Sequence, residues 1–312
     1  VLVNAENYFV FTDFRLSNVE PTDLSGIPRS HKMMTFYEPL FWATIHSAAP
    51  GIVFLDELTW VQREDTWAIA PQIVLDKVAG FVKFHRDTMV IAVGNRPEDA
   101  SSIVRLIHNP LLNRFKIIKV SPPTVQEWAE YMNNKHGDAW DKKVYAFLMR
   151  FRDEGYLLKL PKTPEGLENF PSPRTWEWLS LDLYEGFDSL EDIIGLVGEE
   201  VGRKFDAFRK LKIDIDDLIN NPGMFSKLDF DAKYMVPIML ANWISQHKKD
   251  FSKAFPLIDA MASDSHEFVV MLVISMKKRV AVKFLKALFA YNSTYRDVLS
   301  DIALEIKDQI SL

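Results

Sequence analysis

Cysteine is absent from the 312 residues. No disulfide framework, zinc–thiolate site or thiol nucleophile is therefore available. The absence fits a reducing, cytoplasmic setting. No apolar run approaches the roughly 18–20 residues that a membrane helix needs, and no membrane association is expected. The nearest run, Phe268 to Met276, stops at Lys277, Lys278 and Arg279. No segment reads as a signal peptide. An excess of positive charge is also missing: 37 Lys and Arg stand against 43 Asp and Glu, a net charge of −6. That balance argues against nucleic acid as the main partner. The histidines (His31, His46, His85, His108, His136, His247 and His266) never fall at metal-ligand spacing, which argues against a metalloenzyme. There is no G-x-S-x-G elbow.

What is present is globular. Hydrophobic residues make up 48% and charged residues 26%, enough to bury a core. The length suits about two domains. Up to residue 122 strand-like and helix-like segments alternate. Tyr8–Phe14, Gly51–Leu55, Thr88–Val93 and Lys116–Val120 read as strands, the last three as buried parallel ones. Pro39–Ala48, Trp60–Asp76 and Ser102–Leu112 read as helices, the second divided by Pro71. Ala79–Phe84 reads as a small hairpin or loop. The alternation predicts an α/β layered sheet.

From Ser121-Pro122-Pro123 onward the character changes. Thr124 is a predicted N-cap, with Glu127 three residues later completing a capping box. Helical periodicity then dominates, over Asp141–Arg152, Thr175–Glu185, Glu191–Leu211, Met235–Lys248, Phe251–Met261, Glu267–Asn292 and Thr294–Ile310. The proline-bearing stretch Pro161–Pro173 reads as a loop.

Four segments carry candidate chemistry. Gly51-Ile-Val-Phe-Leu-Asp56-Glu57 is an apolar strand ending in two carboxylates. This places them at the carboxyl edge of a parallel sheet, where such sheets bind ligands. There one carboxylate can hold Mg²⁺ and the next polarise a water. The plain alternative is a buried strand followed by a solvated acidic turn. Met89–Asn95 is a second strand ending in an amide, which can position a lytic water or merely form a Gly-Asn-Arg-Pro turn. Arg114 stands on a corner before a further strand, suited to a phosphate of a neighbouring subunit or to a surface ion pair. Arg174 opens a helix at Ser172-Pro-Arg-Thr-Trp, where Pro near N1 is common and the Arg can be incidental.

In order and spacing these segments resemble the AAA+ ATPases, and within them the MoxR-like family. The stretch Phe14-Arg-Leu-Ser-Asn-Val-Glu-Pro-Thr-Asp-Leu-Ser-Gly-Ile-Pro28 resembles the family's segment that follows the P-loop helix. The resemblance covers residues 10 to about 210. It implies a P-loop NTPase-type parallel sheet with helices on both faces (1–122) followed by a helical lid (123–235); the last hundred residues carry no family motif, and their periodicity reads as a C-terminal helical extension (236–312). It implies Asp56 and Glu57 as Walker B, Asp56 on the metal side and Glu57 as base, and Asn95 as sensor 1. Arg114 matches the arginine finger acting across a subunit boundary, and Arg174 the sensor 2 arginine of the lid. ATP and Mg²⁺ are the implied cofactors. A ring, usually a hexamer, that remodels a protein client is the implied assembly, often with a partner carrying a von Willebrand factor A domain.

One departure is clear. The family's Walker A loop, G-x-x-x-x-G-K-[ST], is not in the sequence. Gly26–Lys32 and Gly198–Lys204 are the nearest stretches; the first lacks the second Gly and the Ser/Thr, and the second has the wrong spacing. The expectation is a protein that extends upstream of Val1 and gains its first strand and P-loop there. Without them the chain is expected to be a scaffold that binds partners without catalysis. A DNA-directed motor is a third reading, which the acidic balance opposes. Near the end, Arg279, Lys283 and Lys286 share one helical face and form a basic stripe. It reads as a solvated face or as a contact for nucleic acid or an acidic partner.

Overall fold

The computed structural model describes residues 4–61, 63–95, 113, 115–161, 169–247 and 251–300. The chain forms two compact units, residues 1–120 and 121–312.

In the first unit, β1 (Val10–Arg15) leads through α1 (Pro21–Ser25) to a hairpin of β2 (Ile27–His31) and β3 (Met34–Glu38). Helix α2 (Phe41–Ala48) then enters β4 (Gly51–Asp56). Helix α3 (Glu64–Pro71), a two-rung hairpin of β5 (Val78–Ala79) and β6 (Val82–Lys83), and β7 (Met89–Ala92) follow. The sheet order is β1-β4-β7, and both pairings are parallel. Strand β4 is central for a reason visible in its sequence. Val53 and Leu55 are fully buried on one face, and Ile52 and Phe54 are half-buried on the other. A strand covered on both faces needs apolar residues at every position. The core beneath it gathers Leu16, Leu24, Leu58, Ile73 and Phe84.

Pro71 closes α3, and Gln72–Asp76 turns as a π-helical segment. This is the division expected from a proline that cannot donate its backbone N–H. The β2–β3 hairpin carries no strand signal that survives next to Pro28, and every residue of it is exposed. Lys116–Val120 differs from expectation. The segment has no regular secondary structure and belongs to no strand of the described sheet, and Ile118 is 73% and Val120 86% exposed. The physical reason lies at the edge of the sheet. Val93 donates its N–H to Leu55 O and accepts from the Leu58 N–H, so its backbone faces β4. By strand alternation Val90 and Ala92 turn theirs outward. Among the described residues no strand pairs with that outer edge. Ser102–Leu112, expected as a helix, lies outside the described residues.

The second unit is helical throughout. Thr124 caps α4 (Val125–His136): its hydroxyl accepts from the Glu127 N–H at 3.2 Å, and the Glu127 carboxylate accepts from the Thr124 N–H at 2.7 Å. Helix α5 (Lys143–Arg150) is buried along most of its length. Its Phe147 ring meets Phe151, Tyr156, Trp176, Phe205 and Phe208 at centroid distances of 4.8–5.8 Å, the range in which aromatic pairs attract. These rings come from α6 (Pro173–Glu185), α8 (Glu199–Arg209) and the turn after α5, with α7 (Leu190–Val197) packed on α8.

One helix was expected over Glu191–Leu211, and two form. They break at Gly198, where φ is +80° and a Cβ would stand 2.6 Å from the Asn169 carbonyl oxygen, so only glycine fits. Helices α9 (Ile215–Asn220) and α10 (Phe230–Gln246) follow, and the division expected at 235/236 falls inside α10. Helices α11 (Phe255–Asp264), α12 (His266–Ser275), α13 (Lys278–Tyr291) and α14 (Tyr295–Val298) complete the described chain. Glu267–Asn292 is not continuous, because α12 is buried almost all round whereas α13 buries one face. A single straight helix cannot present both patterns to one core. Buried residues from Val125 to Leu299 form one apolar cluster. No described helix is long and apolar enough to cross a membrane.

Candidate active site

Strand β4 ends at Asp56, and the next residue, Glu57, takes the left-handed conformation with φ +55°. A non-glycine residue there is uncommon and stores strain. The turn is held by the Asp56 carboxylate, whose Oδ1 accepts from the Glu57 N–H at 2.8 Å. The Glu57 carboxylate is partly exposed. It accepts a short hydrogen bond from the Ser17 hydroxyl, and Arg15 Nε stands 3.9 Å from its other oxygen. Both neighbours come from the end of β1 and the turn after it. Three consecutive features of the chain therefore place the carboxylate: the β1–β4 register, which pairs Arg15 with Asp56, the turn at Ser17, and the strained Glu57 backbone.

The neighbouring strand supplies the amide. Register pairs Leu55 with Ala92, so Asp56 and Asn95 leave the sheet at the same carboxyl edge. Asn95 donates its backbone N–H to Thr59 Oγ1 at 3.0 Å. Between them sits Gly94, where a Cβ would lie 2.8 Å from Thr59 Oγ1 and 2.9 Å from Thr59 Cγ2. Glycine is required by that close approach. Thr59 itself is buried, so the tether is packed in place. The sequence singled out Asp56, Glu57 and Asn95 but not Ser17, Arg15 and Thr59, which touch them. Arg15 and Ser17 were inside the family-like segment, and their position before the first turn was their only signal.

The edge thus holds a carboxylate and a second carboxylate bound by a hydroxyl and near a guanidinium, and the backbone of Asn95 is fixed at the same edge. Such a set can hold a hydrated cation and orient a water. Among the described residues no group of three or more His, Asp or Glu gathers as a cation cage. A Mg²⁺ here would rest on Asp56 and on oxygens supplied by a ligand, which suits this ion's habit of keeping water and phosphate ligands. A phosphate cradle does not form from the two glycine stretches considered. Gly26 ends α1 and its successors enter β2, while Gly198 joins α7 to α8.

Arg114 lies outside the described residues. Arg174 stands in the second unit, exposed, as the second residue of α6. The helix start is capped by Ser172, which accepts from the Thr175 N–H at 3.2 Å, with Pro173 at the first position. Arg174 borders an open cavity of about 530 Å³ whose other walls include Trp128, Tyr131, Lys135, Glu177 and Trp178. Lys135 is spoken for: its ammonium lies 2.9 Å from Glu177, which also accepts from His136 at 2.7 Å. Burial pushes the Glu177 carboxyl up, but the bonds from Lys135, His136 and Tyr131 outweigh it and leave it below its usual range. Arg174 has no ion pair among the described residues. It offers the groove an uncompensated cation beside the positive end of α6.

His46, one of the dispersed histidines, is fully buried. Its Nε2 meets Thr12 Oγ1 at 2.9 Å, its ring packs against Trp42 and Phe84, and burial lowers its pKa. It is a core residue of the first unit.

Among known proteins, no family model matches the chain and no curated sequence matches it.

Proposed function

We propose that the chain is the hydrolytic and lid portion of a MoxR-like AAA+ ATPase. In this reading the first unit is the nucleotide-binding α/β domain and the beginning of the second unit is the helical lid. Asp56 takes the metal side, Glu57 orients the attacking water, and Asn95 steadies it from the next strand. Arg174 corresponds to the sensor 2 arginine of the lid, and Arg114 to the arginine finger that acts on an adjacent subunit of a ring. Bound Mg²⁺ would neutralise phosphate charge. The ring acts on a protein client, with a von Willebrand factor A domain protein as the expected partner.

One observation carries the reading. The acidic pair and the amide leave neighbouring parallel strands at one carboxyl edge, with Glu57 clamped by Ser17 and Asn95 tethered to Thr59. A second feature supports it. Removing a central strand from a parallel sheet would leave an unpaired edge and an apolar segment without a partner. The outer edge of β7 and Lys116–Val120 have that character. The P-loop strand would fill the gap.

The test uses protein that carries a Walker A segment ahead of Val1. Glu57→Gln should lower the ATP hydrolysis rate by about 10²-fold or more while ATP still binds. Arg114→Ala should lower hydrolysis more than affinity. A Gln variant that turns over normally removes Glu57 as base. The missing phosphate cradle favours a second reading, a scaffold of the same fold without catalysis. That reading predicts no nucleotide-induced rise in melting temperature in the same protein.

A further inference from the structure

Helix α13 is charged in an unusual way. It bears Lys278, Arg279, Lys283 and Lys286, is preceded by Lys277, and contains no acidic residue. Its apolar side, Val280, Ala281, Phe284, Leu285 and Leu288, is already buried in the core. The helix therefore has no apolar face left for a membrane or for a groove-binding partner. What remains outside is charge. Lys277, Arg279, Lys283 and Lys286 are exposed, and none forms an ion pair among the described residues. Lys277, Lys278 and Arg279 crowd the first turn and its cap, the positive end of the helix, where a cation is disfavoured. Lys278 contributes only a 3.4 Å bond to Asn134.

Helix α6 shows the opposite misplacement. Asp182 and Glu185 sit in its last turn, at the negative end, with no basic residue there to offset them. Glu191 follows in the first turn of α7. None of the three side chains has a cationic partner among the described residues, whereas Asp188 between them is paired with Arg209 at 3.0 Å. Tyr184 and Phe187, 53% and 62% exposed, lie in the same corner.

We propose that the basic face of α13 docks on the acidic α6–α7 corner of a second copy of this chain. The two patches have opposite charge, and part of each (Lys277 to Arg279 at the start of α13, Asp182 and Glu185 at the end of α6) sits at the helix end where its charge is disfavoured. Facing one another they relieve both misplacements, and the two helix dipoles meet positive end to negative end. Stripe and corner are different patches, so the contact is heterologous. It propagates from copy to copy and closes as a ring if the rotation allows. The chain's net charge of −6 disfavours a long polyanion as the occupant. The contact does not depend on the ATPase reading, and its test contains no nucleotide.

The test is sedimentation velocity of the full chain over a range of concentrations, in low-salt buffer and again in molar salt. The wild-type chain self-associates in low salt and dissociates in high salt. Reversing the stripe (R279E/K283E/K286E) or the corner (D182K/E185K/E191K) weakens association at least tenfold. Mixing the two reversed variants restores it, because each supplies the patch the other now needs. A chain carrying both reversals also reassociates. The milder R279Q/K283Q/K286Q, checked by circular dichroism, covers a failure of the reversed stripe to fold. A wild-type chain that stays monomeric overturns the proposal. So does a corner reversal without effect, or a mixture that fails to associate. Stripe-dependent binding of a DNA duplex, with the oligomeric state unchanged by reversal, would assign the face to nucleic acid and overturn it as well.

Discussion

The two units divide stability and chemistry unequally. In the second, Phe147 touches five rings and the apolar cluster runs unbroken from Val125 to Leu299. In the first, one face of β4 is filled, but among the described residues the sheet ends at β7. Met33 stands 98% exposed on its hairpin and Phe81 75% exposed on the next. The candidate catalytic residues Asp56, Glu57 and Asn95 all belong to this less complete unit. A site can be locally well ordered, through Ser17 and Thr59, on a scaffold that still presents open edges and bare apolar side chains. The larger apolar core lies in the second unit, and the candidate catalytic residues lie in the first.

The largest expected effect tests that division. Phe147→Ala removes the ring at the centre of the aromatic cluster and should cost about 3–5 kcal/mol. Val53→Ala, at the fully buried face of β4, should cost less, in the range of about 1–3 kcal/mol, because it removes two methyl groups rather than a ring. Denaturant titration followed by tryptophan fluorescence reads both. The second unit holds buried Trp128, Trp140 and Trp176, so its transition is directly visible. Equal costs at the two positions would break the contrast.

The same contrast explains what the sequence made legible. Strong local signals came through: the apolar run of β4, the capping box at Thr124, and the division at Pro71. Each depends on residues a few positions apart. Lost features depend on distant partners. The β2–β3 hairpin forms with every residue exposed and with Pro28 inside it, so neither period nor burial marks it. Gly198 breaks a helix because Asn169 approaches it, and that contact lies almost thirty residues away. The break after Ser275 has no glycine or proline to announce it. It accompanies a change from α12, buried almost all round, to α13, which buries one face. Lys116–Val120 was misread for a related reason, since its composition is strand-like but pairing needs a neighbour. The positions of Asp56, Glu57 and Asn95 at the strand ends were readable because strand ends carry their own pattern. The helpers Ser17 and Thr59 were not, because a hydroxyl's role is set by what it touches.

A smaller effect sharpens the view of the second unit. Burial pushes the Lys142 ammonium from 10.5 down to about 7, while Asp138 and Asp141 pull it back. It also meets Asn133 Oδ1 at 2.6 Å and lies 3.6 Å from the Trp140 ring centre, and both contacts favour the charged form. Below pH 7 the group is protonated whether the chain is folded or not. Between about 7 and 10.5 only the unfolded chain keeps the proton. Stability should therefore rise with pH across that window. Lys142→Met should lack the rise, with a difference between the two proteins of about 1–2 kcal/mol from pH 7 to pH 9. Melting curves of both proteins at the two pH values check it. An identical pH dependence would show that the ammonium is not desolvated and that this corner of the core is wetter than Trp140 and Asn133 imply.

The smallest effect is the most informative about the first unit. Ile118 and Val120 are 73% and 86% exposed, so Ile118→Lys and Val120→Lys should change the stability of this chain by no more than about 0.5 kcal/mol each. That near-silence is itself unusual for apolar residues in a strand-like run. If a further strand pairs with the outer edge of β7 and recruits this segment, the same substitutions would put an ammonium into a closed sheet. In protein that supplies such a strand they should then cost several times as much. The difference between the two measurements reads how complete the sheet is. A large cost in the chain alone would mean that Lys116–Val120 already has a partner, and the open edge of β7 would no longer separate the two units.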